Sequence, residues 1–255
     1  MIAVYVLFAI FGLCIGSFLN VVIYRLPNGM SLSQPPSHCT KCDYRLRWYD
    51  NIPVLSYLFL GGKCRKCKEK ISFRYPAVEI LCSALYLVCA LLFYKKSEVY
   101  AVICALALSV LICVFFIDLE HMYIPDRFQV ILLALGVAAI FFDGVAWWEH
   151  LLGSAVGGGL FLLVYLGAIV VMKKEGLGFG DVKLAFVTGL LLGWKKIFLA
   201  IIVASISGCI VIIPKSRKKN GQKEFPFAPY IAVGVAVALL VGEYIIKWYL
   251  GLMGI

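Results

Sequence analysis

The sequence predicts an all-α integral membrane protein with about eight transmembrane helices and a small cytoplasmic loop domain that contains four cysteines. Of the 255 residues, 63% are hydrophobic and only 15% are charged, whereas an average soluble domain is about 45–50% apolar and about 25% charged. Apolar stretches of about 20 residues, the length that crosses a bilayer, recur along the chain. These observations exclude a water-soluble globule, and they exclude a disordered chain, which would need low hydrophobicity.

Seven runs with few or no charges are the predicted spans. They cover residues 1–24, 76–94, 99–117, 128–142, 151–172, 197–214 and 228–250. An eighth span is expected at about 181–196, where a short helix would cross with snorkelling ends or local thinning of the bilayer. The first run lacks a basic start and a small-residue cleavage site, so we interpret it as a retained helix and not as a secretion signal.

Lysine and arginine residues indicate the orientation. If the 25–75 loop is cytoplasmic, the inner segments carry 19 of the 24 basic residues and the outer segments carry 5, as the positive-inside rule expects. Both chain ends would then lie outside. The inner segments are 25–75, 118–127, 173–183 and 214–227. We therefore interpret the net charge of +10 as membrane topology, and we expect no nucleic-acid partner.

The loop between the first two spans contains two CxxC pairs, Cys39 with Cys42 and Cys64 with Cys67. Two such pairs at this separation predict a tetrahedral, structural zinc site with four thiolate ligands. Two disulfides are the alternative, which a reducing cytoplasm disfavours, and His38 is an alternative ligand. The chain is thus divided into a first helix (1–24), a zinc-binding loop (25–75) and a polytopic membrane domain (76–255).

Two aspartates stand at the ends of apolar runs. Asp118 ends one run and Asp181 begins another, and the derived topology places both at the cytoplasmic end of a span. Two carboxyl groups that share a site tend to hold one proton, so one would activate water while the other polarises a carbonyl, as in aspartic proteases. Capping of a helix is the alternative role for Asp181. Gly176, Gly178 and Gly180 would let the backbone pass close to a substrate strand in unusual conformations.

Two further carboxylates lie near the ends of predicted spans. Glu79 is one turn into the second span, where it would pair with a basic loop residue or line a substrate route. Asp126 follows Pro125 at the start of the 128–142 run, where capping of the helix is the default expectation.

These motifs together resemble those of the type IV prepilin leader peptidases. Residues 16–27 (GSFLNVVIYRLP) are similar to the amino-terminal signature of that family, and Asp118 with Ile124-Pro125-Asp126 is similar to its first aspartate motif. Residues 178–184 (GFGDVKL) are similar to its GxGD motif. Its zinc loop resembles residues 36–42, 48–57, 64–67 and 71–76, followed by Glu79. The resemblance runs nearly end to end, although Ala228 stands where the family usually has glycine.

The resemblance implies a bifunctional membrane enzyme. Asp118 and Asp181 would form the catalytic dyad of an aspartic endopeptidase within the 76–255 domain. The substrate or active-site loops would include Gly178, Gly180, Asp126, Lys183 and Glu79. The substrate would be a prepilin or pseudopilin with a short basic leader and a hydrophobic helix in the lipid.

The family also methylates the new N-terminal residue with S-adenosylmethionine, and the resemblance implicates the cytoplasmic half between the first and second spans in this step. Such enzymes serve type IV pilus, type II secretion and competence systems in the inner (cytoplasmic) membrane of prokaryotes, and the active site would face the cytoplasm. The alternatives are a peptidase without methyltransfer and a non-enzymatic scaffold whose zinc loop docks a partner. A transporter is disfavoured because it would carry ionisable groups nearer the membrane midplane.

Overall fold

The computed structural model describes residues 1–172, 177–216 and 225–253. Regular structure within these ranges is helical, without a strand, which confirms the predicted all-α class. The α-helices are α1 (Ile2–Arg25), α2 (Leu55–Phe59), α3 (Arg74–Phe93), α4 (Glu98–His121), α5 (Asp126–Phe142), α6 (Trp147–Gly167), α7 (Phe179–Leu192), α8 (Trp194–Ser216) and α9 (Ala228–Leu252). The predicted basic segments 173–183 and 214–227 lie partly outside the described residues.

Six of the described helices are long and apolar enough to cross a membrane, namely α1, α3, α4, α6, α8 and α9. The protein is therefore a multi-pass membrane protein. Helices also stand at the other two predicted places, but α5 has 17 residues and α7 has 14, so the predicted count of eight spans is not confirmed. The predicted bounds 181–196 were wrong because Gly193, at a φ of +76°, ends α7 at Leu192, and α8 begins at once.

The chain forms two compact units, Met1–Lys95 and Lys96–Ile255. In the first unit, α1 and α3 pack antiparallel and close together, because two glycines of α1 face the backbone of α3. A Cβ atom on Gly16 would stand 2.7 Å from the Cα atom of Glu79, and one on Gly12 would stand 2.6 Å from that of Ser83. The predicted three-part division, which groups 76–94 with the later helices, stays a prediction.

In the second unit, α4 is buried along most of its length and packs against α5 and α9. Helix α7, which carries Asp181, packs against α5 and α6. Gly153 of α6 lies against Gly189 of α7, where a Cβ atom on Gly153 would stand 2.5 Å from the Gly189 carbonyl oxygen. Two α6 side chains also bond to α7 carbonyl groups: His150 Nδ1 to Leu190 at 2.8 Å, and Ser154 Oγ to Phe186 at 3.0 Å. These contacts fix the position of α7 along α6.

Candidate active site and metal centre

Asp118 lies in the last turn of α4 and is only 6% exposed. The helix ends just beyond it because Met122 takes a left-handed conformation, with a φ of +53°. Asp118 Oδ2 accepts a hydrogen bond of 3.2 Å from the backbone N–H of Ala228, the first residue of α9. The N-terminus of a helix favours negative charge, so α9 supports a carboxylate at this position. The alanine that departs from the family pattern supplies this contact through its backbone.

Asp181 lies in the first turn of α7 and is 7% exposed. Its carboxylate is near enough to that of Asp118 for the two charges to interact. The structure thus brings together two acidic side chains that are 63 positions apart in the sequence. Asp181 lies inside the helix, where its own N–H bonds to the Gly178 carbonyl at 3.0 Å. The alternative, in which Asp181 stands before the helix as its cap, was therefore wrong.

The glycines before Asp181 provide space and not unusual backbone angles. Gly178 has an ordinary φ of −70°, which corrects the expectation drawn from its conformational freedom. A Cβ atom on Gly178 would lie 3.3 Å from Asp181 Oδ2, and one on Gly180 would lie 3.4 Å from Ile124 Cδ1. A side chain at either position would crowd the aspartate or the loop before α5. Gly176 lies outside the described residues.

The beginnings of α5 and α7 are joined by polar contacts. Lys183 Nζ of α7 lies 2.8 Å from Asp126 Oδ1 of α5, and both side chains are exposed. Asp126 therefore has a partner on another helix, whereas the expected side-chain cap is absent at the start of α5. Buried Gln129 donates a hydrogen bond of 3.3 Å to the Gly180 carbonyl. Sequence reasoning missed Gln129, although a lone amide within an apolar run was a usable signal.

Glu79 belongs to the first unit and does not pair with a basic loop residue as expected. Its Oε2 atom accepts a hydrogen bond of 2.7 Å from the backbone N–H of Val54, and the Ser17 hydroxyl is a second partner. The expected ion pair was wrong because the loop presents a backbone amide to Glu79 instead of a cationic side chain.

The four predicted zinc ligands come together in the loop. The sulfur atoms of Cys39, Cys42, Cys64 and Cys67 all lie within 4.8 Å of one another. Two of the separations are 3.8 Å and 4.0 Å, close to the spacing of about 3.8 Å expected for a zinc tetrahedron with Zn–S bonds of about 2.3 Å. All four thiols are free, so the cluster could hold zinc. His38 Nδ1 bonds to the Pro36 carbonyl, and this residue is not part of the cluster.

Each CxxC pair lies in its own hairpin, and the two hairpins follow the same pattern 25 positions apart. The first cysteine of each donates its N–H to the residue five positions on, at 3.0 Å for Cys39 and 2.8 Å for Cys64. The fourth residue after that cysteine is left-handed in both, with a φ of 51° at Asp43 and 60° at Lys68. Hydrogen bonds within each hairpin therefore point its two sulfur atoms toward one place.

Asp50 links the two hairpins. Its Oδ1 atom lies 2.8 Å from Arg65 of the second hairpin, and its Oδ2 atom accepts hydrogen bonds from the Tyr44 hydroxyl and the Arg47 backbone at 3.3 Å and 3.2 Å. Burial disfavours the ionised carboxylate, but the bonds from Arg65 and Arg47 outweigh it and hold the pKa of Asp50 below its usual value. Asp50 is thus an ionised anchor beside the cysteine cluster.

The fold and these sites define a class: a multi-pass helical membrane protein with a buried aspartate pair and a four-cysteine loop. Residues 10–93 match the family model described as "Bacterial Peptidase A24 N-terminal domain". Residues 105–213 match the family model described as "Type IV leader peptidase family". The chain belongs to the prepilin leader peptidase/N-methyltransferase family, as its relatives show.

The relatives match over nearly the whole chain. A prepilin leader peptidase/N-methyltransferase of Aeromonas salmonicida is 34% identical over 94% of this chain and 92% of its own length. A protein of the same name from Pseudomonas aeruginosa is 35% identical over 95% of this chain and 92% of its own length. One from Bacillus subtilis is 33% identical over 94% of this chain and 96% of its own length. No solved structure matches the chain.

Proposed function

We propose that the protein is a bifunctional enzyme that removes the leader peptide of type IV prepilins or pseudopilins and then N-methylates the new N-terminal residue. The observation that carries the peptidase assignment is the meeting of Asp118 and Asp181, both buried, at the ends of two helices. The names of the relatives, prepilin leader peptidase/N-methyltransferase, support both activities.

The aspartate pair suits hydrolysis of a peptide bond. One carboxylate takes a proton from water as the water oxygen attacks the scissile carbonyl carbon, while the other carboxyl group, protonated, donates a hydrogen bond to the carbonyl oxygen. The tetrahedral intermediate then collapses, the C–N bond breaks, and the proton passes to the departing amine nitrogen. The products are the leader with a free carboxylate and the mature chain with a free amine.

The surrounding loops would position the substrate strand. Gly178 and Gly180 keep space open beside Asp181, and the exposed pair of Lys183 and Asp126 offers charged contacts at the same end of the unit. In the proposed topology this end lies at the cytoplasmic face of the inner membrane, where a basic leader stays in the cytoplasm while its hydrophobic helix lies in the lipid.

Two groups would serve the enzyme as cofactors. The four-cysteine cluster would hold a structural zinc ion that supplies folding energy to a loop too small for a generous core. S-adenosylmethionine would donate the methyl group of the second reaction.

The test uses the purified full-length protein and a prepilin with an intact leader. The parental protein is expected to shorten the substrate and, when the methyl donor is added, to increase the mass of the mature product by one CH2 group. Asp118→Asn or Asp181→Asn should slow shortening by about 10²–10⁴-fold. Processing at the parental rate by either variant would rule out the dyad, and cleavage without methylation would leave a peptidase alone.

A further inference from the structure

Glu79 is a buried carboxylate without a cationic partner among the described residues. It is 8% exposed, and its hydrogen-bond partners are the Val54 N–H and the Ser17 hydroxyl. Burying an ionised carboxylate is costly unless it is paired, and an ionisable group within a spanning helix is by default a functional candidate. A carboxylate can accept about four hydrogen bonds, so these two partners fill only part of the acceptor capacity of Glu79.

A second buried acceptor lies one turn away. Asn20 follows Ser17 by three positions on α1 and is 2% exposed. Its Nδ2 atom donates to the carbonyl groups of Gly16 and Tyr75, whereas its Oδ1 atom is buried and has no hydrogen-bond partner within the part of the chain that the structure describes. An unsatisfied buried polar atom is costly, and such an atom calls for an explanation, of which a catalytic role is one.

The turn that contacts Glu79 is strained. Val54 has a φ of +59° and a ψ of −49°, and the Leu55 N–H bonds to the Pro53 carbonyl around it, which is a γ-turn of the strained kind. A β-branched residue at positive φ is an outlier, and such strain concentrates at functional sites. Here the strain brings the Val54 N–H onto Glu79 Oε2.

These groups share one chemistry. The Glu79 carboxylate, the Ser17 hydroxyl and the Asn20 carbonyl oxygen are acceptors on facing turns of α1 and α3, which approach closely at Gly16. An ammonium group has three donors and no acceptor, so it complements this set. The proposed function provides such a group, because leader cleavage releases a primary amine that is next methylated.

We propose that Glu79, Ser17 and Asn20 bind the α-amino group of the cleaved substrate, and that Glu79 accepts a proton from it before methyl transfer. This assignment rests on the proposed methyltransferase activity. The ammonium loses one proton to the Glu79 carboxylate, and the nitrogen lone pair then attacks the methyl carbon of the sulfonium donor. The C–S bond breaks with its electron pair passing to sulfur, which leaves a neutral thioether and a protonated secondary amine.

Glu79 is the only carboxylate on the elements around it, which are α1, α3 and the turn at 53–55. Helix α1 carries Tyr5, Cys14, Tyr24 and Arg25, and the Arg25 guanidinium donates to the carbonyl groups of Ser31, Leu32 and Pro35. Helix α3 carries Arg74, Tyr75, Cys82, Tyr86 and Cys89, and the turn at 53–55 carries no titratable side chain. The pH dependence of the amine reaction should therefore report on Glu79 and on the amine itself.

The experiment measures methyl incorporation into a mature pilin peptide with a free N-terminal amine, using the full-length protein, S-adenosylmethionine and the variant Glu79→Gln. Glutamine keeps an acceptor for the Val54 N–H but removes the base. Methylation at pH 7 should fall by about 100-fold or more; the mature peptide already has its free amine, so the assay does not depend on leader cleavage. The defect should shrink at pH 9, because a free α-amino group with a pKa of about 7.7–8.0 loses its proton in solution.

Two further variants complete the test. Glu69→Gln changes an exposed acid of the same unit and should leave methylation unchanged. Asn20→Ala should raise the KM for the amine peptide about tenfold without changing the KM for the methyl donor.

Three results would overturn the assignment: parental methylation by Glu79→Gln, an equal defect at pH 7 and pH 9, or an unchanged amine KM in Asn20→Ala. If the parental protein itself transfers no methyl group, the methyltransferase half of the proposed function fails as well. If the parental protein methylates and Glu79→Gln does too, only the assignment of Glu79 fails.

Discussion

The four-cysteine loop and the aspartate pair are built in opposite ways. All four cysteines lie within residues 39–67, and hydrogen bonds inside each hairpin aim the sulfur atoms. Asp118 and Asp181 lie on different helices, and their meeting depends on how α4, α5, α6, α7 and α9 pack. The loop should therefore lose its zinc site when a cysteine or a nearby hydrogen bond is lost. The aspartate pair should lose activity when either carboxylate is changed, or when helix packing far from the pair is disturbed.

The largest effect is expected from the aspartates themselves. Asp118→Asn and Asp181→Asn should each lower the rate of leader cleavage by about 10²–10⁴-fold, the range for loss of a general acid or base. Because the two carboxyls would act as a unit, the double variant should lose little more than either single one. Glu243→Gln, which changes an exposed partner of Lys247, is the matched control. A double variant whose loss is the product of the single losses would contradict a shared mechanism.

The next effect concerns the metal. Cys39→Ser or Cys64→Ser should reduce the zinc content of the purified protein from about one ion per chain to near none, because a structural site needs all four ligands. The rate of leader cleavage should fall far less than with Asp118→Asn, since the cysteines and aspartates belong to different compact units. Metal analysis and the cleavage assay check this. Cys209→Ser, at an exposed cysteine of α8, should leave the zinc content unchanged, and undiminished zinc in the loop variants would refute the site.

A smaller effect should follow from crowding α6 against α7. Gly153→Ala would place a methyl group against the Gly189 carbonyl, and overpacking costs about 1–3 kcal/mol. The shift of α7 should lower the melting temperature and reduce leader cleavage by about tenfold, with zinc content preserved. Gly159→Ala, on the same helix but with open space around the added atom, is the control. Equal behaviour of the two variants would show that the glycine contact does not position Asp181.

The smallest effect is expected at Asp50. Its folded pKa is lowered, so its stabilising contribution is present above the unfolded value of about 3.9 and is lost as the pH falls through the folded pKa. Asp50→Asn should weaken zinc binding several-fold at neutral pH, as chelator competition would show. The difference in thermal stability between parental and variant protein should begin to narrow below about pH 4 and should close once the pH is below the folded pKa of Asp50. A difference that persists at lower pH would mean that the carboxylate charge is not its source.

Sequence reasoning predicted a site well where its residues lie close together in the sequence. The cluster was predictable because sequence spacing alone indicates that Cys39, Cys42, Cys64 and Cys67 can meet at one metal ion. Topology placed Asp118 and Asp181 at one membrane depth, and their proximity in the structure agrees, although their catalytic role remains a proposal. The partners of Glu79 and Asp126 were not predictable, because a backbone amide at Val54 and the side chain of Lys183 come from distant segments.

Helix ends were the other weakness. Hydropathy placed α7 at 181–196, but a single left-handed glycine ends the helix at Leu192. A glycine within an apolar run has no hydropathic signal that separates a helix break from a packing contact. The same run contains Gly189, which serves packing against α6.

The repeated hairpins of the cysteine loop have a consequence for how a metal would be captured. Because each hairpin is closed by its own hydrogen bonds, each presents two sulfur atoms as a ready half-site. An ion held by one half-site meets the other at the effective concentration set by the short segment between them. Closing so short a segment costs little entropy, so capture would be a two-step chelation in which the second step is intramolecular. The rate of metal release would then follow the opening of one hairpin from the other, and not the breaking of a single metal–sulfur bond.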